Sequence, residues 1–134
     1  MILALAAMAL GPAMPPGQTA QCPVSAHWTE GPPDEEGRII VPAKNLVTVG
    51  PSGLSWNFEA SNLPIILRYA GIIREMDPRP WLVVDASAAD CAELRQVAEM
   101  IEAAAACEPD YCFVSREPVK REPMAQIILP RPGD

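Results

Sequence analysis

Apolar and polar positions change period several times between Leu46 and Val114. Leu46-Val47-Thr48-Val49 is a short, β-branched run. Gly50-Pro51-Ser52-Gly53 follows, a cluster of turn formers. Leu54, Trp56 and Phe58 then alternate with Ser55, Asn57 and Glu59, the period of a strand with one buried and one wet face. The pattern predicts a β-hairpin closed by a four-residue loop over 50–53, with Trp56 as a core residue. Beyond it the period becomes helical. Ser61 or Asn62 is an N-cap, Pro64 is tolerated in the first turn, and Leu63, Ile66, Leu67, Ala70 and Ile73 mark one face. Ile65, Tyr69, Ile72 and Met76 form a second apolar row, leaving Pro64, Arg68, Gly71 and Glu75 as the polar stripe. A helix over 61–76 therefore carries more apolar surface than one small sheet covers. This makes Tyr69, Ile72 and Met76 candidate partner-binding residues.

Asp77-Pro78-Arg79-Pro80 ends that helix, and Trp81-Leu82-Val83-Val84-Asp85 is a continuous apolar run, the signature of a strand buried on both faces. Asp90 and Glu93 have the spacing of a capping box. Leu94, Val97, Ala98, Ile101 and Ala105 then oppose Arg95, Gln96, Glu99 and Glu102, which predicts a helix over 90–106 with Glu99 and Glu102 on its solvated side. Tyr111–Ser115 is the final strand. The elements add up to an α+β fold, a two-layer β-β-α-β-α-β sandwich with a small mixed sheet. Right-handed crossovers place both helices on one face and leave the other relatively open.

The flanks carry less pattern. All 16 prolines in the 134 residues make more than twice the usual share, and most cluster in 12–42 and 118–132. We divide the chain into a signal-like apolar segment (1–20), a Pro-rich linker (21–38), the α/β domain (39–116) and a Pro-rich tail (117–134). Arg38–Pro42 reads as a short edge strand. Met1–Leu10 is apolar and uncharged, too short to span a bilayer but suited to a signal-peptide core. The expectation is therefore export, periplasmic or otherwise; no Lys or Arg precedes the run, which leaves membrane anchoring as the alternative should the true start lie upstream. In the tail, Ile127-Ile128-Leu129 is an apolar triplet closed by Pro130, a candidate partner-binding strand for a sheet edge of this chain or another.

A net charge of −7 without a basic cluster argues against nucleic acid and anionic membrane surfaces. No phosphate loop, Ser–His–Asp order or His-rich metal spacing appears, so no catalytic residue, cofactor, metal or small-molecule substrate is expected. The single histidine, His27, reads as a solvated linker residue. Asp85, at a strand end where α/β folds often place functional groups, reads as a hydrogen-bond acceptor for the next loop. The four cysteines, Cys22, Cys91, Cys107 and Cys112, form an even set that in an exported chain favours disulfides. Cys91 and Cys107 stand at opposite ends of one helix, about 24 Å apart, and cannot pair. Cys107–Cys112 with Cys22–Cys91 is preferred over Cys22–Cys107 with Cys91–Cys112. A thiol redox role is weaker without a C-x-x-C pair.

The hairpin Leu46–Phe58 with Trp56-Asn57 resembles the glycine-turn, aromatic–Asn hairpin of the ExbD/TolR family. The helix after it, the strand ending in Asp85, the helix Glu93–Ala105 and the strand Tyr111–Val114 follow that family's order and spacing. Ile40-Val41-Pro42-Ala43 is similar to the Leu-Pro stretch before its domain. The resemblance covers about residues 39–115. It implies a non-catalytic periplasmic docking domain in envelope transport driven by the proton-motive force. Its implied partners are a second copy of itself and a channel-forming protein of the ExbB/TolQ kind. The family's transmembrane helix and its proton-carrying Asp have no counterpart here, because no acidic residue precedes Glu30. The competing expectations are an exported, disulfide-stabilised α/β protein with an unrelated binding role, and a small thiol redox protein.

Overall fold

The computed structural model describes residues 22–120. Its strands are β1 (Thr29–Glu30), β2 (Lys44–Gly50), β3 (Gly53–Trp56), β4 (Glu59–Ser61), β5 (Trp81–Asp85) and β6 (Cys112–Ser115), and its helices are α1 (Leu63–Ile73) and α2 (Cys91–Ala105). The strands form one six-stranded mixed sheet in the order β1-β6-β5-β2-β3-β4. The β1–β6, β6–β5 and β5–β2 pairs are parallel, whereas β2–β3 and β3–β4 are antiparallel. This is the α+β class the periodicity predicts.

The main core lies between the sheet and both helices. Val47, Val49, Trp56, Leu82, Val84, Cys112 and Val114 point from alternate strand positions toward Ile66, Ala70, Ile73, Leu94, Val97 and Ile101. That alternation is the pleat at work, since strand residues two apart share a face. Trp56 is a core residue, its ring 5.1 Å from that of Tyr69. β5 is buried along its whole length, as its unbroken apolar run requires. Both helix starts follow the capping logic of the sequence. Asn62 accepts from Ile65 N at 3.0 Å, and Asp90 accepts from Glu93 N at 3.2 Å.

Several expectations need correction. The hairpin loop has two residues, because Gly50 and Gly53 pair as its last rung around Pro51-Ser52. Pro51 keeps a negative φ, and Gly53, at φ +115°, takes the conformation that lets the chain turn back. The alternation 54–58 does not persist as one strand. β3 ends at Trp56, and Asn57 and Phe58 adopt φ +48° and +70°, the signature of a mirror-image two-residue turn into β4. Asn57 also stabilises that turn through its side chain, since Oδ1 accepts from Leu46 N at 2.7 Å and Nδ2 donates to Asn45 Oδ1 at 3.0 Å. The strand expected at 38–42 is absent, and β2 begins later, at Lys44. The first helix is shorter than 61–76 at both ends.

The stretch assigned to a linker is partly core. Trp28 is 5% exposed, and Thr29–Glu30 joins the sheet beside β6. Arg116 holds this segment by a two-toothed contact with Glu30 and by donating to Cys22 O at 2.7 Å. Glu102, expected on a solvated helix face, instead accepts from the Ser25 hydroxyl and from Trp28 Nε1.

Candidate functional site

The helix-free face of the sheet is not bare. Leu46, Trp81, Val83 and Phe113 form a second buried cluster there, with Val41, Phe58, Tyr111 and Val119 packed against it. The positions follow from the pleat: each is one residue out of phase with a core-facing neighbour. Trp81 and Phe113 meet edge to face, with ring centres 5.7 Å apart. The Arg38 guanidinium stacks 4.9 Å from the centre of the Trp81 ring, and Arg79 stacks 4.5 Å from that of Tyr111. Arg79 also donates to the Ala105 and Ala106 carbonyls at 2.6 and 3.0 Å, which satisfies the open C-terminus of α2.

Between these groups lies a cleft of about 690 Å³, lined by aromatic rings, four prolines and the side chains of Asp34, Asp77 and Asp110. Its outer wall is the 31–43 segment. That segment is well tied. Gly31 N donates to Val114 O at 2.8 Å, Arg38 Nε to Asp34 O at 3.1 Å, and Lys44 Nζ to Glu35 Oε2 at 2.6 Å. Even so, it holds Ile39 and Ile40 at 99% and 81% exposure, the two most exposed large hydrophobic residues described. Adjacent isoleucines held in water beside an aromatic cleft are characteristic of a contact surface.

At the other end of the same face, Asp85 is buried and fully engaged. Its Oδ1 accepts from Ser87 N at 2.9 Å and Ser87 Oγ at 2.6 Å, while Oδ2 accepts from Val119 N at 2.9 Å. It is the loop-organising acceptor the sequence suggests, and it also ties down the segment after β6.

The four cysteines form two pairs. Cys22–Cys91 and Cys107–Cys112 each have Cα atoms 5.6 Å apart, within disulfide distance. The partner-binding candidates separate. Tyr69 is 7% exposed and belongs to the core against Trp56, so it lines no outer surface. Met76 is partly buried on the core. Ile72 is 38% exposed on α1. Ile127, Ile128 and Leu129 lie outside the described residues. Ile39 and Ile40 carry no surface signal in the sequence, because an apolar run ahead of Pro42 has the composition of an edge strand. His27 lies in an exposed turn, its Nε2 4.0 Å from Glu102 Oε2.

A smaller cavity of about 280 Å³ lies over α2 between Val24, Trp28, Arg95 and Glu99. Among the described residues no group of three or more His, Cys, Asp and Glu is placed to hold a metal, and no helix is long and apolar enough to cross a membrane. The chain matches no protein-family model, no characterised protein and no solved structure.

Proposed function

We propose that this chain is a non-catalytic, extracytoplasmic interaction module, similar in role to the docking domain of the ExbD/TolR family. In this reading it self-associates and engages a channel-forming envelope protein of the ExbB/TolQ kind. The observation in its support is a small mixed sheet under a two-helix layer, in which β1 and β4 are added to the expected hairpin, helix, strand, helix and strand, braced by two cysteine pairs at disulfide distance. Such bracing suits a small domain outside the reducing cytosol. The partly exposed Ile72 on α1 supplies an apolar contact for a partner.

The test is association of purified, oxidised full-length protein, followed by sedimentation and by co-purification with an ExbB/TolQ-type protein from the same cells. Ile72→Asp is expected to weaken association by more than tenfold, which corresponds to about 1.4 kcal/mol or more at a buried contact. A strictly monomeric parent with no affinity for such a channel protein, or turnover that depends on a cysteine, overturns the reading.

A further inference from the structure

We propose that Cys22–Cys91 is a redox-sensitive latch. While it is oxidised, residues 22–31 lie strapped across α2 and the outer edge of β6; its reduction by a dithiol frees that strap and leaves the rest of the domain folded. The latch is independent of the docking reading, because purified protein alone reports on it.

Thiol–disulfide exchange needs a sulfur that an attacking thiolate can reach. Cys91 begins α2 and is exposed, whereas its partner Cys22 is 2% exposed. Both members of the other pair are buried, Cys107 at 4% and Cys112 at 0%. A dithiol therefore attacks at Cys91. A bond forms between the reductant's sulfur and Cys91 Sγ, the Cys22–Cys91 bond breaks, and Cys22 leaves as a thiolate that takes up the proton the reductant's thiol lost. The reductant's second thiolate then closes on its own first sulfur, and Cys91 leaves and is protonated in turn. Two electrons have passed to the cysteine pair, and the reductant has become a disulfide.

The strap that this pair ties down is lightly seated. Its sheet pairing is two residues long, Thr29 beside Phe113 and Glu30 beside Val114. Its polar contacts lie near the surface: Thr29 Oγ1 donates to Pro109 O at 2.7 Å, Trp28 Nε1 to Glu102 at 3.2 Å, and Arg116 grips Glu30. Between Val24 and Trp28 on the strap and Ala98 and Glu99 on α2 lies the cavity of about 280 Å³, so the two surfaces do not interlock at core density.

The link matters because the strap is short. Cys22 is fixed to Cys91, and Gly31 N is fixed to Val114 O, so the ten residues 22–31 form a closed loop on the folded body. Loop-closure entropy for that length favours the seated strap by roughly a hundredfold, and reduction removes this bias. Opening then withdraws Trp28 from the core and uncovers the edge of β6, a strand whose outer side only β1 pairs.

The experiment incubates oxidised full-length protein with dithiothreitol for graded times, traps thiols with N-ethylmaleimide and maps them by mass spectrometry, with hydrogen exchange measured on the species in which one pair is reduced. Cys22 and Cys91 are expected to be labelled at least about tenfold faster than Cys107 and Cys112. With that pair alone reduced, amides of 22–31 should exchange roughly a hundredfold faster, while those of β2 and β5 stay protected. Cys22→Ala/Cys91→Ala should show the same fast exchange without reductant. Equal labelling of both pairs, earlier labelling of Cys107 and Cys112, or unchanged protection of 22–31 after reduction overturns the latch. Loss of protection throughout β2 and β5 overturns it as well, since the link would then hold the whole domain rather than a strap.

Discussion

The two cysteine pairs differ in one variable, loop length, and that sets up a quantitative test. Both have the same Cα separation, but Cys22–Cys91 spans 69 positions and Cys107–Cys112 only 5. In the chain-entropy account a cross-link stabilises by restricting the unfolded chain, and the restriction grows with the logarithm of the loop. The long loop then contributes about 4 kcal/mol and the short one about 2 kcal/mol. Removing cysteines directly would confuse this comparison, because Cys22, Cys107 and Cys112 are buried and their truncation leaves cavities. The cleaner design uses two variants, Cys107→Ala/Cys112→Ala and Cys22→Ala/Cys91→Ala, each unfolded by urea in oxidised and reduced form. Within one variant the difference between the two forms isolates the remaining link. The expected loss on reduction is about twofold larger in the variant that retains Cys22–Cys91, and against a total stability of about 5–15 kcal/mol it brings that variant close to unfolding. Its urea slope should also rise on reduction, since a released unfolded chain exposes more surface. Equal losses, or none for the long loop, would refute the reasoning. The first result would show the unfolded chain already restricted, and the second would show Cys22 and Cys91 unbonded.

Two further outcomes are expected. Asn57→Ala removes the acceptor of the buried Leu46 N–H and forces a positive φ on a residue that resists it, so about 1–3 kcal/mol should be lost in urea titration, and a loss under about 0.5 kcal/mol would contradict the assigned role. Ile66→Ala, at a fully buried site between α1 and the sheet, should cost about 2–5 kcal/mol, whereas Ile39→Ser should change monomer stability by no more than about 0.5 kcal/mol in the described body; comparable effects at both sites would invert the burial pattern.

Periodicity made the two-layer body legible. The helical rows of α1 and α2, their caps at Asn62 and Asp90, and the doubly buried β5 all follow from local spacing and local hydrogen bonding, which operate over a few residues. The misreadings share one cause. Thr29–Glu30 is two residues long, too short for any alternation, and it is a strand only because β6 lies beside it. Trp28 sits in a proline-rich stretch and joins the core where α2 reaches it, its Nε1 donating to Glu102. The run Leu54–Phe58 keeps a strand's period, yet the chain turns at Asn57, where left-handed tolerance and the bond to Leu46 outweigh the pattern.

The candidate surface was less visible still. Ile39-Ile40 has the composition of a buried strand, yet in a segment where Arg38 bonds the Asp34 carbonyl and Lys44 bonds Glu35 both side chains lie in water. Tyr69 shows the opposite case: its row on a helical wheel faces outward on paper, but Trp56 arrives from β3 and covers it. Element type, caps, the even cysteine count and the α+β class are consequences of near-neighbour chemistry, so the bare order of amino acids specifies them. Which apolar residues end up dry, which segments join the sheet edge, and what Arg79 and Arg116 hold are long-range matters. They depend on segments tens of residues apart arriving at one place, and only the packed sheet brings those segments together.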